Sequence, residues 1–156
     1  MLKKSENIPF YAKGLRFSCE RCSRCCRYES GYVFLSIEDA SRMAGALNMD
    51  YEDFRLAFCR WVSVGNGMAR LSLKEKSNYD CILWSANKEG GCSVYNERPL
   101  QCRTFPFWPS IMGSKEYWED TAANCPGIGK GSLYSYDSIN ERLSLSETEL
   151  IISKRV

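Results

Sequence analysis

Cys19-Glu20-Arg21-Cys22-Ser23-Arg24-Cys25-Cys26 decides how the rest of the chain is read. Four thiols within eight residues would repel one another as thiolates, oxidise readily and pack poorly, so the run makes little sense without a ligand. A bound cation resolves all three problems. Thiolates need positive charge beside them, and two-residue spacings let a turn aim successive sulfurs at one centre. Working outward, Cys81, Cys92, Cys102 and Cys125 join Cys19, Cys22, Cys25 and Cys26 as candidate metal ligands. The ninth cysteine, Cys59, lies between Phe58 and Arg60 near apolar neighbours and reads as a small buried hydrophobe on a second helix.

The composition narrows the chemistry further. The 156 residues include nine Cys and no His. That removes every mechanism needing an imidazole, including Ser-His-Asp, Cys-His and the HExxH zinc site. Any reaction must run on sulfur, carboxylates, Lys, Arg, Tyr or a bound cofactor, and no catalytic residue is assigned. Hydrophobic residues at 44% and charged ones at 26% exclude a disordered chain, a collagen and a coiled coil. A net charge of +2 gives no field for a polyanion, so no nucleic-acid partner is expected. No run approaches the roughly 18 apolar residues of a membrane span. Two N-terminal lysines have no apolar run of about 7–15 residues behind them, so no signal peptide is read. The expectation is a cytoplasmic protein, whose thiols stay reduced. An odd cysteine count and ample apolar residues also argue against a disulfide scaffold.

The coarse reading is a small single α+β domain: two consecutive helices and a short antiparallel sheet, with cysteine-rich loops pinned by metal. The metal-binding core is placed at residues 17–131, with a tail or helix over 132–156. Gly31–Leu35 is rich in β-formers and predicts a strand. Ser36 and Asp39 then start a helix carrying Ile37, Ala40, Met43, Ala44 and Leu47, which Asn48 ends. Asp50 and Asp53 repeat the signal for a helix with Phe54, Ala57, Phe58 and Trp61 on one face. After Gly65-Asn66-Gly67 the pattern turns to sheet, with alternation over Met68–Lys74. Asp80–Ser85 and Cys92–Tyr95 read as two short strands around a turn at Lys88–Gly91. The three prolines of Arg98–Pro109 predict a loop or broken turn. Tyr117–Asp120 reads as a helix edge, and Ile139, Leu143, Leu150 and Ile151 suggest a third helix over 138–152.

The spacing also suggests which sulfurs act together. Ferredoxin loops use C-x2-C-x2-C plus a distant Cys-Pro. Cys19, Cys22 and Cys25 have that spacing, and Cys125-Pro126 is the only Cys-Pro in the chain. Cys26, Cys81, Cys92 and Cys102 would form a second site, since adjacent cysteines in extended or turn backbone point in different directions. The sulfur count does not separate the metals. An iron–sulfur cluster of the 4Fe–4S kind and Zn2+ in closed four-thiolate sites satisfy it equally, in one or two centres. Phe105, Phe107, Trp108 and Trp84 read as shelter for a cluster or as plain core. Arg16, Arg21, Arg24, Arg27, Arg98 and Arg103 read as charge compensation for thiolates, or as a docking surface for an acidic partner. Arg98 reads as a structural tie to backbone carbonyls or a carboxylate. Gly127–Gly131 lacks the context of a phosphate loop.

Beyond the CxxCxxCC run, Gly31–Met49, Cys81-Ile82-Leu83-Trp84, Cys92–Phe107 and Cys125-Pro126-Gly127 carry a resemblance. The chain resembles the YkgJ-type CxxCxxCC cysteine-cluster family of zinc- or iron-chelating domains from about Phe17 to Gly127. Ser23 departs from it, since the family often has Gly after the second cysteine. The resemblance implies a metal-chelating cytoplasmic protein, iron–sulfur binding included. Related domains occur in flagellin lysine methylases, which leaves an enzymatic role open. Three functions follow: an iron–sulfur protein for electron transfer or as cofactor of a modifying enzyme, with a redox partner; a structural zinc module engaging a protein partner; or a soft-metal handling protein. No oligomeric state is read.

Overall fold

A computed structural model describes residues 7–88 and 91–156. Residues 1–6 and the middle of the expected Lys88–Gly91 turn (89–90) lie outside the described residues. The class is α+β, and the pattern of caps accounts for most of the elements. After strand β1 (Leu15–Phe17) and the cysteine run, helices α1 (Ile37–Ala46) and α2 (Tyr51–Phe58) begin where their caps predict. The Asp39 N–H donates to Ser36 Oγ at 3.1 Å, and the Asp53 N–H to Asp50 Oδ1 at 2.9 Å. Between the helices, Asn48 turns the chain with φ 55.

The second helix is shorter than its spacing suggests. Cys59 and Trp61 leave it as the start of strand β2 (Cys59–Gly65), which pairs antiparallel with β3 (Met68–Leu73). The two-residue turn Asn66-Gly67 takes positive φ at both positions, 52 and 68, the twist a tight hairpin requires. A hairpin turn needs strand on both sides, and here it overrides the helical spacing upstream. The expected strand at Gly31–Leu35 is reduced to the bridges Phe34↔Ser72 and Ser36↔Ile151. The reason is competition for one edge of β3: the C-terminal strand takes Met68–Arg70 and leaves only Leu71–Leu73 to residues 33–36. Likewise Asp80–Ser85 and Cys92–Tyr95 do not form strands. They meet in the bridge Trp84↔Cys92, Cys81 bridges Glu75, and the amides of Cys81 and Ile82 go to Cys26 O and Lys74 O.

The proline-rich stretch holds more helix than expected because two of its three prolines stand at helix starts. Pro99 precedes α3 (Leu100–Thr104), the Phe105–Pro106 peptide is cis, and Pro109 opens α4 (Pro109–Met112). Helix α5 (Lys115–Asn124) starts at Ser114, whose hydroxyl accepts the Tyr117 N–H at 3.1 Å. The tail then completes both sheets. Strand β4 (Ser132–Tyr134) pairs with β1, helix α6 (Tyr136–Thr148) follows, and β5 (Ser153–Arg155) joins the sheet β2-β3-β5.

Two hydrophobic cores result. One is mainly aliphatic and lies under α1 and α2, with Leu35, Met43, Phe54, Leu71 and Leu83 buried. The other is largely aromatic, with Phe17, Phe107, Ile111, Met112 and Trp118 buried and Phe105 and Trp108 packed against it. Three of the four suggested shelter aromatics are therefore ordinary core. Cys81 and Cys92 pack against the first core and Cys125 against the second. Candidate ligands therefore lie on both sides of the seam between the cores.

Candidate metal centre

The cysteine run is shaped by tight turns. Arg21 and Ser23 sit in the left-handed region at φ 53 and 68, and a 3-10 turn over Arg24–Cys26 follows. That conformation costs a residue with a side chain roughly 1–2 kcal/mol, which explains a preference for Gly at the Ser23 position. The run is tied to both cores by its backbone. The Ser18 N–H donates to Gly127 O at 3.1 Å beside Cys125, and the Cys81 N–H donates to Cys26 O at 2.7 Å.

All nine cysteines are free thiols. Cys19, Cys22 and Cys25 are exposed, while Cys26, Cys81, Cys92, Cys102 and Cys125 are partly buried. The sulfurs of Cys25 and Cys26 lie 3.9 Å apart. The expectation that Cys26 turns away from Cys25 is therefore not met. A 3-10 turn sets successive side chains about 120° apart, not on opposite sides as in extended chain. A tetrahedral ion with bonds of about 2.3 Å has an S···S edge near 3.8 Å, so these two sulfurs are spaced like ligands of one ion.

The electrostatics map the neighbourhood. Hydrogen bonding from Cys26 brings the Cys25 thiol down to about 7, and the same bond with burial drives Cys26 up. Burial pushes Cys102 up, and Cys81, Cys25 and Cys92 add to it. Cys125, some hundred residues from the run, is raised by burial and feels Cys22 and Cys25. Each buried thiolate thus repels its neighbours, and a cation among them would remove the penalty. Partial relief is built in. Backbone N–H groups of Leu83, Val94, and Gly127 with Ile128 bond to Cys81, Cys92 and Cys125 respectively, and Arg98 favours the thiolates of Cys25, Cys92 and Cys102. The Arg21 N–H approaches Cys19 Sγ at 3.4 Å.

A sulfur set gathered at one seam, with no imidazole in the chain, fits zinc or iron–sulfur chemistry. Among the described residues, no group of three or more acidic or cysteine side chains closes on a single point. Cys25 is the common neighbour of Cys26, Cys81, Cys92, Cys102 and Cys125. Cys19 lies to one side, hydrogen-bonded to the Tyr95 hydroxyl. Cys59 stays in the first core, where burial pushes its thiol up to about 11.

Sequence reasoning missed two supports of the site, the Tyr95 ring and the Asp39 carboxylate. The Tyr95 ring has the guanidinium groups of Arg21 and Arg98 each 3.9 Å from its centre. Asp39, read only as a helix-start acid, is 2% exposed and accepts the Leu100 N–H at 3.1 and 3.2 Å. It thereby caps α3, the helix that carries Cys102, while pairing with Arg42 at 3.0 Å. Trp84 lies between Cys81 and Cys92 under the Arg27 guanidinium, 3.8 Å away. Arg98 is the tie expected of it, donating from Nε to Tyr95 O at 2.8 Å. In the Gly127–Gly131 loop, Lys130 pairs with Glu20 at 3.1 Å, which fastens the loop to the cysteine run.

Fold and site together define a cysteine-pinned α+β domain with a soft-metal donor set. A family profile described as "CxxCxxCC: Putative zinc- or iron-chelating domain" matches residues 18–126, and the chain belongs to that family. Two relatives come from Methanocaldococcus jannaschii. The uncharacterized protein MJ0661 is 28% identical over 116 residues, covering 73% of this chain and 58% of the relative. The uncharacterized protein MJ0939 is 28% identical over 143 residues, covering 85% of this chain and 44% of the relative. The chain thus spans about half the length of the curated relatives it matches. No solved structure matches it. Among the described residues, no helix is long and apolar enough to cross a membrane.

Proposed function

We propose that the chain carries an iron–sulfur cluster, for electron transfer or as the cofactor-holding part of a modifying enzyme, and that it works with a protein redox partner. The observation that carries this reading is that the Cys125 loop is bonded to the start of the cysteine run, Ser18 N–H to Gly127 O and Gly129 N–H to Arg16 O, which brings Cys125 within electrostatic reach of Cys22 and Cys25. A Cys-Pro from the far end of the chain meets a C-x2-C-x2-C run, the combination used by ferredoxin-type loops. Cys19, Cys22, Cys25 and Cys125 would hold the cluster, and a cluster so held supplies one-electron chemistry. The chain's own residues hold the loop pair together, through the Ser18–Gly127 bond and the Lys130–Glu20 pair, and Arg98 offsets thiolate charge. Exposure of Cys19, Cys22 and Cys25 leaves one side open to a partner.

One observation favours zinc beside the cluster or in its place. The 3.9 Å separation of the Cys25 and Cys26 sulfurs suits a single tetrahedral ion. Such an ion would draw on Cys26, Cys81, Cys92 and Cys102, with Cys25 shared or exchanged. The test is metal and acid-labile sulfide analysis of protein purified without oxygen, with absorption and electron paramagnetic resonance spectra. About four iron and four sulfide per chain are expected for one cubane. Zinc alone, with no sulfide and no visible absorption, would overturn the iron–sulfur reading and leave the structural or metal-handling roles. A modest chelator would then remove the metal from a handling protein and not from a structural site.

A further inference from the structure

The indole N–H of Trp84 is buried and, among the described residues, has no acceptor. A buried donor with no partner costs free energy, and such orphans mark an ion, water or ligand that belongs there. The indole is held firmly in place. The Trp84 backbone N–H donates to Cys81 O at 2.9 Å, and its strand bridge is to Cys92. The Arg27 guanidinium lies 3.8 Å over the ring and is anchored to Asp80 at 3.0 Å. The nitrogen edge of the ring faces Gly91, at φ 75, where an added Cβ would collide with the indole and come 2.7 Å from Ser23 Oγ. The N–H therefore stops at the point where the Cys92 turn meets the middle of the cysteine run. The polar groups the sequence places on either side of that point include the thiols of Cys22, Cys25 and Cys92.

We propose that Trp84 Nε1–H donates a hydrogen bond to a metal-bound sulfur of the centre, from Cys22, Cys25 or Cys92. This rests on the metal-binding reading above. A thiolate bound to a metal keeps lone pairs and negative charge, and N–H···S bonds offset both. Backbone amides do this for Cys81, Cys92 and Cys125, and the Tyr95 hydroxyl for Cys19. Cys25 has the Cys26 thiol and its own backbone N–H in that role, and the thiol donor disappears when both sulfurs bind metal. Trp84 holds an unspent donor at the middle of the run that can replace it. It is a positioning residue that sets the charge on a ligand sulfur.

The experiment uses the full chain loaded with cadmium-113 under reducing conditions, with its tryptophans labelled with nitrogen-15. Bound cadmium is counted first. The Trp84 indole proton, assigned through Trp84→Phe, should move downfield on loading, exchange slowly with water and show scalar coupling to cadmium through the sulfur. In cobalt-loaded protein, Trp84→Phe should shift the sulfur-to-metal charge-transfer band at unchanged metal count and circular dichroism. If cadmium binds fully but the indole proton exchanges like that of a free tryptophan and shows no coupling, the proposal fails. If no cadmium binds, the metal-binding reading itself fails. If the Phe variant does not fold, the absence of cadmium coupling on every indole proton of the wild-type spectrum overturns the proposal equally.

Discussion

Under α1 and α2 the chain closes on itself: Leu35, Met43 and Phe54 are 0% exposed, and both helix starts are capped by their own side chains. Around Cys19, Cys22 and Cys25 the thiols are exposed, the backbone turns through two left-handed non-glycine residues, and the Cys26 sulfur lies 3.9 Å from that of Cys25. The first region draws its stability from apolar area removed from water. The second has little apolar interior of its own, and ionising its sulfurs drives them apart. A protein with a sufficient core does not need such a seam for stability alone. The difference separates a scaffold made by the cores from a thiol-lined seam, which the proposed metal binding would order.

Metal removal tests this division most severely. The binding energy of a structural site, on the order of 10 kcal/mol for zinc, is folding energy for the segments that carry the ligands. Stripping the metal under reducing conditions should speed amide exchange first at residues 19–26, 81–85 and 92–102, with α1, α2 and β3 protected longest. Cys102→Ser should reproduce the effect and yield metal-poor protein. Simultaneous loss of protection in both regions would break the comparison.

Phe54→Ala should act in the opposite sense. Emptying a fully buried aromatic site costs about 3–5 kcal/mol. Urea denaturation should show that loss while metal per folded chain stays unchanged, because Phe54 belongs to the first core alone. A proportional fall in metal content would mean the two regions are one cooperative unit.

Cys59→Ser sharpens the contrast among cysteines. Cys59 is 6% exposed and packs as a hydrophobe, so the hydroxyl should cost about 1 kcal/mol in the same denaturation assay. Metal analysis should show no loss. A metal deficit like that of Cys102→Ser would bring Cys59 into the ligand set.

The smallest effect concerns a polar weakness of the scaffold. Burial, then the hydrogen bond with Asp39, raises the Glu149 carboxyl to about 8. Its folded value lies above its ordinary 4.5, so the contribution to stability is full below pH 4.5 and declines as pH rises through about 8. Partial exposure screens the effect to the order of 1 kcal/mol. Glu149→Gln should flatten that part of the stability–pH curve in calorimetry; an unchanged slope would show that the pair does not share a proton.

Much of this was legible in the residue order. Ser36 and Asp50 act on partners within four residues, so the starts of α1 and α2 could be read locally, as could the change from helix to sheet at Gly65-Asn66-Gly67. The eight sulfurs were equally plain, since a dense thiol run without histidine admits few explanations but metal. What tertiary structure decided was which distant groups meet. The hairpin took Cys59 and Trp61 from the helix, and β5 shortened the strand at Gly31–Leu35 by occupying the edge of β3. A one-turn 3-10 helix put Cys26 against Cys25. Asp39 under Leu100, Trp84 against Gly91 and Cys125 beside Cys22 join residues up to about a hundred positions apart. Local spacing carries no record of such meetings, because they follow from how two hydrophobic cores pack and where the seam between them falls.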